Sequence, residues 1–362
     1  MTRPPSRKAT SQDVADLAGV SRSAVSLVLN GRGDGNIAPD KQAAIRAAAA
    51  QLEYEPNPSA VSLRSSRTRT LGMVTDAIAS TAYGGDLLRG ASEAAERSGH
   101  LLVLVDTHDE EQREADAYRT LRGRRVDGLL FAAMSLREYS VPAAATGVPF
   151  ALANCYDPAA PSVPAFVADE VAGGRAAARL LLDAGHRDVV LLAGARDAVA
   201  STLREDGVRA ELTAAGHALR TVETGWEISD GVAAATAVLT GPDRPTGLVC
   251  ANDRVAVGAV LAANRLGLDV PADLSVVGYD DDAALAAPMV PALTTIALPH
   301  RQIGEAAVAR VLADLAVDVS GTGEPRTTGH GTVLVPCPVV VRDSVAPPRR
   351  RTSRQRAGSP NR

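Results

Sequence analysis

The chain has 362 residues, of which 46% are hydrophobic, 22% are charged and only 3% are aromatic. This composition predicts a globular protein of about two domains with a core of Ala, Val and Leu, and it excludes collagen-like, mucin-like and wholly disordered chains. The apolar runs are far shorter than the roughly 20 residues of a membrane-spanning helix, and the first residues do not form a secretory signal. We therefore expect a cytoplasmic protein with no membrane partner.

The formal net charge of −4 conceals an uneven distribution. Residues 1–70 contain ten Lys or Arg and six Asp or Glu, residues 71–344 contain 22 and 36, and residues 345–362 contain six and none. We call residues 1–70 the head and residues 71–344 the body. A basic head followed by an acidic body indicates that the head binds a polyanion. Nucleic acid and an anionic membrane surface both fit this charge pattern.

Signals of a cofactor or of catalysis are lacking. Cys155, Cys250 and Cys337 are far apart with no His beside them, so we predict three buried free thiols and no metal. The sequence contains no Walker motif, no Gly-x-Ser-x-Gly and no Gly-x-Gly-x-x-Gly after a strand, so it predicts no cofactor and disfavours an enzyme.

Two short helices are predicted near the start of the chain. Thr10 and Asp13 form a variant of the capping box, which begins a helix that ends at Gly19. Ser21 caps a second helix, which ends at Asn30. Two short helices joined by a turn with a Gly are typical of a helix-turn-helix, whose second helix lies in the DNA major groove. A small helical bundle or a protein-binding module has the same pattern.

A third helix is predicted from Pro39 to Leu52, packed on the first two through Ile45 and Ala49. Ala38 stands at its N-cap, where a Ser or Thr hydroxyl would accept a hydrogen bond from the first turn. We expect this helix end to fray, because the missing cap costs about 1 kcal/mol.

Short apolar segments alternate with amphipathic helices in the body. The predicted strands are Leu71–Thr75, Leu101–Val105, Gly128–Phe131, Phe150–Ala153, Val189–Ala193, Leu248–Ala251 and Ser275–Tyr279. The helices between them, such as residues 86–98 and 173–184, are followed by Gly99 and Gly185, as helix C-termini commonly are. This alternation predicts an α/β body of two doubly wound parallel sheets.

Ligands of such sheets gather at the carboxyl ends of the strands, so the polar residues that follow the strands are the candidate site. These are Asp76, Asn154, the pair Asn252 and Asp253, and the run 280–282. An Asp cluster suits a magnesium site or an acid–base pair, but neither a phosphate loop nor a nucleophile accompanies it.

Several runs of the sequence resemble one known family in order. They are residues 10–21, 25–31 and 52–57 in the head, and 169–175, 182–187, 204–207, 251–253, 277–281, 291–296 and 342–344 in the body. These runs resemble the LacI/GalR family of bacterial transcription repressors, whose effector domain is similar to periplasmic sugar-binding proteins. The resemblance implies a helix-turn-helix domain over 1–56, a hinge helix and linker over 57–70, and a two-lobed effector and dimerisation domain over 71–344. The lobes would be joined by crossovers near 165, 298 and 329, and residues 345–362 would form a disordered basic tail.

The resemblance also implies which residues contact DNA. They are Thr10, Ser11, Ser21, Arg22, Ser23, Ser26, Leu27 and Asn30 in the helix-turn-helix, and Asn57, Ser59, Ala60, Leu63 and Arg64 in the hinge. Arg22 can donate two hydrogen bonds to a guanine or bind a phosphate. Leu63 corresponds to the leucine that wedges into the minor groove. Leu27 stands where many members have Arg, which leaves the operator sequence open.

The effector site implied by the resemblance comprises Arg204, Trp226, Asn252 and Asp281. Asp76, Tyr83 and Asn154 are further candidates for this site from the first lobe. A guanidinium, an amide and a carboxylate together suit vicinal hydroxyls, and an indole suits the C–H face of a pyranose. The alternatives are an ion-pairing Arg204, a turn-forming Asn252, a helix-capping Asp281 and a packing Trp226.

The prediction is a homodimeric, sequence-specific transcriptional regulator, a repressor, on palindromic double-stranded DNA. A small effector, a sugar acting as inducer, would control its operator affinity allosterically. The alternatives are a nucleobase, nucleoside or other metabolite acting as co-repressor, a solute-binding protein with no DNA role, and an enzyme of sugar metabolism.

Overall fold

The computed structural model describes residues 9–54, 67–80, 84–320 and 331–349. The chain divides into two units, residues 1–69 and 70–362. Within the described ranges, none of the helices combines the length and the apolar character needed to cross a bilayer.

The first unit contains three helices, α1 (Ser11–Ala18), α2 (Arg22–Leu29) and α3 (Pro39–Gln51). Their apolar faces enclose a small core that includes Val14, Val25, Val28 and Ile45, each almost fully buried. The spacing of these residues at three or four positions places them on one face of each helix. The predicted helix-turn-helix and third helix are therefore confirmed.

Capping side chains set the ends of the first two helices. The backbone N–H of Thr10 donates to Asp13 Oδ2 at 2.7 Å, and the N–H of Asp13 donates to Thr10 Oγ1 at 3.4 Å. Ser21 Oγ accepts from the N–H of Ala24 at 3.2 Å. Ala38 provides no side-chain hydrogen bond to α3, in agreement with the missing cap expected there.

The second unit alternates strands and helices along its whole length. The strands are β1 (Thr70–Thr75), β2 (Leu101–Asp106), β3 (Gly128–Glu138), β4 (Phe150–Tyr156), β5 (Ala165–Ala168), β6 (Val189–Ala193), β7 (Arg220–Glu223), β8 (Gly247–Cys250), β9 (Ser275–Asp280), β10 (Thr294–Ala297), β11 (Thr332–Val335) and β12 (Val339–Val340). The helices are α4 (Gly85–Arg97), α5 (Glu111–Gly123), α6 (Glu170–Asp183), α7 (Val199–Ala214), α8 (Ile228–Thr240), α9 (Asp253–Arg265) and α10 (His300–Ser320).

The strands form two six-stranded sheets, each at the centre of one lobe. Lobe 1 has the order β11-β5-β4-β3-β1-β2, with every pair parallel. Lobe 2 has the order β12-β10-β9-β8-β6-β7, in which only the short edge strand β12 is antiparallel. The predicted α/β fold with two doubly wound sheets is confirmed.

The chain crosses between the lobes three times. The crossings lie between β5 and α6, at residues 298–299 between β10 and α10, and at residues 336–338 between β11 and β12. The third differs from the expected position near 329, because β11 first completes the sheet of lobe 1 beside β5. The first lies just after β5, and the expected position 165 falls at the start of that strand.

Five strands have no counterpart among the predicted ones, namely β5, β7, β10, β11 and β12. They have two to four residues each, too few for an apolar pattern to stand out. β3 also extends beyond the predicted Phe131 to Glu138. Its pairing with β4 shifts register between Ala132 and Arg137. Met134 to Leu136 lie within this irregular part, towards the carboxyl end of β3.

The ordered body continues past residue 345, where a disordered tail was expected to begin. Ser275 Oγ accepts from the N–H of Ala346 at 3.0 Å, and Arg349 Nη1 donates to Asp273 Oδ1 at 2.9 Å. His186 is buried, and its Nε2 lies 2.9 Å from the carbonyl oxygen of Ala346. Residues 350–362 lie outside the described residues. Cys155 and Cys250 are buried as predicted, whereas Cys337 is half-buried.

The empty N-cap of α3 gives a stability prediction. Ala38→Ser should stabilise α3 by about 1 kcal/mol, because a hydroxyl there can accept from the first turn. Amide hydrogen exchange of α3 should slow about fivefold. Ala44→Ser, at an exposed position inside the same helix, is the matched control and should not slow exchange. Equal effects of the two substitutions would contradict the capping argument.

Candidate functional site

A cavity of about 590 Å³ lies between the two lobes, at the carboxyl ends of their strands. This volume is within the range of small-molecule sites. Lobe 1 contributes residues from β3 and β4. Lobe 2 contributes residues from α7, the loop before α8, the end of β9 and the start of α9, and the crossings contribute the rest. The lining residues are Met134, Ser135, Leu136, Asn154, Glu170, Ala198, Ala200, Arg204, Trp226, Glu227, Asn252, Arg254, Asp280, Leu298 and His300.

Arg204 lies in the cavity wall, on α7, and is nearly fully buried. Its Nε and Nη2 donate to the two carboxylate oxygens of Glu170 at 2.8 and 3.1 Å, and its Nη1 donates to the carbonyl oxygen of Ala251 at 2.5 Å. Its guanidinium lies over the ring of Tyr279, 3.8 Å from the centroid. Burial lowers the pKa of Arg204, but the facing Glu170 carboxylate outweighs this and the pKa is raised overall. Arg204 therefore forms an ion pair, and it lines the cavity at the same time.

Glycines allow this pair to form, because they bring α6 and α7 into backbone contact. A Cβ at Gly174 would collide with the carbonyl oxygen of Arg204, and one at Gly207 would collide with that of Val171. The helices that carry Glu170 and Arg204 thus pack with their backbones in direct contact.

Asn252 and Trp226 form another part of the wall. Asn252 caps α9, since its Oδ1 accepts from the N–H of Val255 at 2.8 Å. Its Nδ2 donates to the carbonyl oxygen of Trp226 at 3.1 Å and fixes the loop that presents the indole. A Cβ at Gly194 would collide with the indole ring, so the ring lies directly against that backbone. Trp226 therefore packs on lobe 2 with one part and lines the cavity with another.

Asn154 lines the cavity from lobe 1, whereas Asp76 lies behind the wall. Asn154 Nδ2 donates to the carbonyl oxygen of Ala133 at 3.1 Å. Asp76 Oδ1 accepts from the N–H of Met134 at 3.0 Å, and its Oδ2 lies 3.4 Å from Arg137 Nη2. Asp76 thus supports the irregular part of β3 that reaches the cavity, and it is not among the lining residues. Tyr83 lies outside the described residues.

The expectation for Asp281 is corrected by the structure. Asp281 accepts from Arg342 Nη2 at 2.6 Å and is not among the lining residues, whereas its neighbour Asp280 lines the cavity. Both residues have positive φ, 110° at Asp280 and 58° at Asp281, so the chain turns sharply and the two carboxylates diverge. Burial is the main reason why the pKa of Asp280 is raised well above its usual range.

Glu170 and His300 are cavity residues outside the predicted set, whereas Asp280 belongs to the predicted run 280–282. Glu170 and His300 follow β5 and β10, two of the short strands that were not predicted, so the rule of polar residues after strands would have found them. Burial lowers the pKa of His300, which favours its neutral form.

In the first unit, the predicted DNA-contacting residues lie on α2, at its two caps and at the start of α1. Ser21, Arg22, Ser23 and Asn30 are exposed, as is Thr10, while Ser11, Ser26 and Leu27 are half-buried. Arg22 makes no ion pair with any described residue. The hinge candidates Asn57, Ser59, Ala60, Leu63 and Arg64 lie outside the described residues.

Comparison with known proteins gives a family match for each of the two units. Residues 10–57 match the family described as "Bacterial regulatory proteins, lacI family", and residues 178–345 match the "Periplasmic binding protein-like domain". The chain is 34% identical to the ribose operon repressor of Escherichia coli K12 over 83% of this chain and 91% of that one. It is 31% identical to the transcriptional repressor PurR of Pectobacterium carotovorum over 84% and 89% of the two chains.

A solved structure of the lac repressor dimer, bound to operator and the anti-inducer ONPF, superimposes with a TM-score of 0.77. It is 28% identical and covers 94% of this chain and all of its own. A helix-turn-helix unit followed by a two-lobed binding body defines a DNA-binding regulator with a ligand-controlled domain. The chain belongs to the lacI family of bacterial regulatory proteins, and it is a transcriptional regulator rather than an enzyme. The predictions of family and class are confirmed.

The buried pair gives a prediction about stability. Arg204→Met should destabilise the body by about 3–5 kcal/mol, because it leaves the Glu170 carboxylate buried without its cation. Adding Glu170→Met to the same chain should recover most of that loss, since both buried charges are then absent. Urea unfolding of the two variants measures this difference, and a double variant no more stable than the single one would refute it.

Asp253 gives a prediction about pH. Burial raises the pKa of this carboxyl, which is bonded to Thr295 Oγ1 and to the N–H of Asp282, to about 7. In unfolded chains the pKa is about 3.9, so between these values the folded state binds more protons and the free energy of unfolding falls as pH rises. Asp253→Asn should remove this fall, which amounts to at most about 1.4 kcal/mol per pH unit.

Urea unfolding between pH 4.5 and 7.5 measures the effect as the difference between the wild type and Asp253→Asn. The wild type should lose more stability across this range than the variant. Parallel profiles would show that Asp253 does not titrate there.

Proposed function

We propose that this protein represses transcription as a homodimer that binds a palindromic operator through the exposed face of α2. Arg22 at the start of α2 supports this assignment, because its guanidinium is exposed on the face that a helix-turn-helix presents to the major groove. A bidentate contact with guanine would discriminate against other bases by about 1–3 kcal/mol. Thr10, Ser11, Ser21, Ser23, Ser26, Leu27 and Asn30 would complete the contacts with bases and phosphates.

The hinge residues Asn57, Ser59, Ala60, Leu63 and Arg64 are proposed to enter the minor groove beside the operator centre, with Leu63 as the wedge. This assignment rests on the family resemblance alone. Because operator DNA is the target, the site of action is the cytoplasm.

The effector is proposed to be a sugar that binds the cavity between the lobes. The observation that carries this proposal is the position of Trp226, which lines the same cavity as Asn154, Arg204, Asn252 and Asp280. An indole suits the C–H face of a sugar ring, and the surrounding amides and charged groups suit its hydroxyls. A ribose operon repressor and a complex of the regulator CelR with cellobiose are among the similar proteins.

The cavity also suggests how a ligand would act on DNA binding. Asn154 belongs to lobe 1, and Arg204, Trp226 and Asp280 belong to lobe 2, so a ligand that contacts both sets favours the closed arrangement. A change in the lobes shifts the operator affinity by the coupling free energy between the two sites. We propose that the sugar acts as inducer and weakens operator binding.

A nucleobase or nucleoside that acts as co-repressor is the second candidate. The 31% identity to PurR repressors favours it, and Trp226 can stack on a base as well as on a sugar. The two candidates differ in the sign of the effect on operator binding, which one experiment can measure.

The test uses a fluorescent duplex selected by the wild-type protein from a random pool. Operator affinity is measured by anisotropy with and without D-ribose, D-glucose, D-galactose, cellobiose, adenine, hypoxanthine and guanosine. We expect a sugar to weaken binding at least tenfold. Tighter binding with a base would replace the sugar by the co-repressor.

Two variants separate the sites. Arg22→Ala should weaken operator binding tenfold or more and leave the sugar-induced fluorescence change of Trp226 intact. Arg32→Ala, which removes an exposed charge of the same unit outside α2, is its matched control. Trp226→Ala should keep operator binding and lose its response to sugar. A preserved response would contradict the cavity assignment.

A further inference from the structure

Lobe 1 presents an irregular piece of β3 to the cavity. The pairing of β3 with β4 is interrupted between Ala132 and Arg137, so residues 133–136 stand opposite Asn154 of β4. We call residues 133–136 the β3 bulge. Three of its residues line the cavity, namely Met134, Ser135 and Leu136. The position of the bulge therefore sets the shape of the cavity on the side of lobe 1.

The β3 bulge also reaches lobe 2. Leu136 is buried in one apolar cluster with Val167 of lobe 1 and with Ala200 in the first turn of α7. Ala200 lies four residues before Arg204, so the two side chains project from the same face of α7. A shift of the bulge would thus change both the cavity and a contact between the lobes.

Two polar side chains hold the first half of the β3 bulge. Asn154 Nδ2 donates to the carbonyl oxygens of Ala133 and Met134 at 3.1 and 3.3 Å. The backbone N–H of Met134 donates to Asp76 Oδ1 at 3.0 Å. The bulge therefore keeps its place only if the Asp76 carboxylate keeps its own.

Arg137, the residue directly after the bulge, supplies the positive charge that faces this carboxylate. Its Nη2 lies 3.4 Å from Asp76 Oδ2 and 3.2 Å from Asp109 Oδ1, and its guanidinium lies 5.7 Å from the centre of the Phe131 ring. Burial raises the pKa of a third acid, Glu114, and the charge of Arg137 opposes this rise. One guanidinium thus acts on three carboxyl groups.

The three acids belong to three different parts of lobe 1. Asp76 follows β1, Asp109 lies in the loop after β2, and Glu114 lies on α5. The N–H of Asp109 donates to the carbonyl oxygen of Asp76 at 3.0 Å, and Tyr139 Oη donates to Glu114 Oε1 at 2.5 Å. The guanidinium therefore joins the ends of β1, β2 and β3 behind the cavity wall.

The hydrogen bonds of Arg137 itself are incomplete. Its Nε is buried and has no hydrogen-bond partner among the described residues. A buried donor that stays unpaired is unfavourable. The guanidinium is therefore placed by the carboxylates it faces rather than by full satisfaction of its own donors.

We propose that Arg137 is a positioning residue of the effector cavity. It is not among the lining residues, and it acts through Asp76 and the β3 bulge. Its charge offsets the repulsion between Asp76 and Asp109, so that Asp76 stays against the N–H of Met134 and the wall stays in place. This inference rests on the proposed role of the cavity and deepens it, because part of the effector affinity then comes from a residue behind the wall.

The test measures sugar binding by full-length Arg137→Met, which removes the charge and keeps a long unbranched side chain. The probes are D-ribose, D-glucose, D-galactose and cellobiose, and dissociation constants come from Trp226 fluorescence. For each probe that binds the wild type, the constant should rise at least tenfold, because the freed acids repel one another and the bulge moves. Arg119→Met is the matched control, since Arg119 is exposed and pairs with Asp116 on the same helix. It should keep the wild-type constants.

Rescue by a second substitution separates charge balance from packing. Asp109→Asn suits the positive φ of that position and removes one of the repelling charges. Added to Arg137→Met, it should recover at least threefold of the lost affinity. Loss of packing at Arg137 alone would not be recovered in this way.

Amide hydrogen exchange of the effector-free protein locates the change. The N–H of Met134 should exchange at least tenfold faster in Arg137→Met than in the wild type, whereas the amides of β6 in lobe 2 should keep their rates. Equal acceleration in β6 would show a general loss of stability and would overturn the inference.

These measurements also separate the inference from the proposed function. Unchanged dissociation constants in Arg137→Met, or no recovery in the double variant, overturn the role of Arg137 and leave sugar binding by the wild type in place. If none of the four sugars changes the Trp226 fluorescence of the wild type, the sugar function is wrong and the inference fails with it.

Discussion

The buried ion pair between Arg204 and Glu170 is the interaction on which the cavity depends. Glu170 stands directly after the first crossing between the lobes, and Arg204 lies on the second helix of lobe 2. The guanidinium also bonds the end of β8 through Ala251 and lies against Tyr279 in β9. One side chain thus ties two strand ends and two helices together at the place where the chain passes from one lobe to the other.

Such a pair requires its helices to be very close, and the small residues of α6 and α7 provide this. Gly174 and Gly207 lie at the contact, and either of them with a Cβ would separate the backbones. Because the charges are out of water, their geometry must be held tightly for the attraction to offset the cost of desolvation. The close helix packing therefore supports the electrostatics of the site as well as the fold.

Much of the fold was accessible from the sequence, because the central strands are continuous apolar runs and the helices end at glycines. The caps at Thr10 and Ser21 were also predictable, since they depend only on local residues. The edge strands were not, because strands as short as β7 and β12 form through pairing with a neighbour rather than through their own pattern.

The cavity was predicted less well than the fold, because its arrangement depends on contacts between distant parts of the chain rather than on local patterns. Arg204, Trp226, Asn252 and Asn154 all line it, yet their polar atoms are partly used to hold the wall. Whether Asp280 or Asp281 faces the cavity depends on two left-handed residues in succession, which no periodicity reveals. Glu170 was missed because it follows β5, a strand of four residues that is too short to be recognised from its own pattern.

The last described residues of the chain, up to Arg349, are bound to lobe 2 at a defined position. Ala346 and Arg349 are bound to Ser275 and Asp273, at the start of β9, whereas Asp280 at the other end of that strand lines the cavity. Arg349, the last described residue, therefore lies at the amino end of the strands of lobe 2, opposite the cavity. A fluorescent label attached at position 349 is held at that end, so labelled protein keeps its cavity accessible to small molecules.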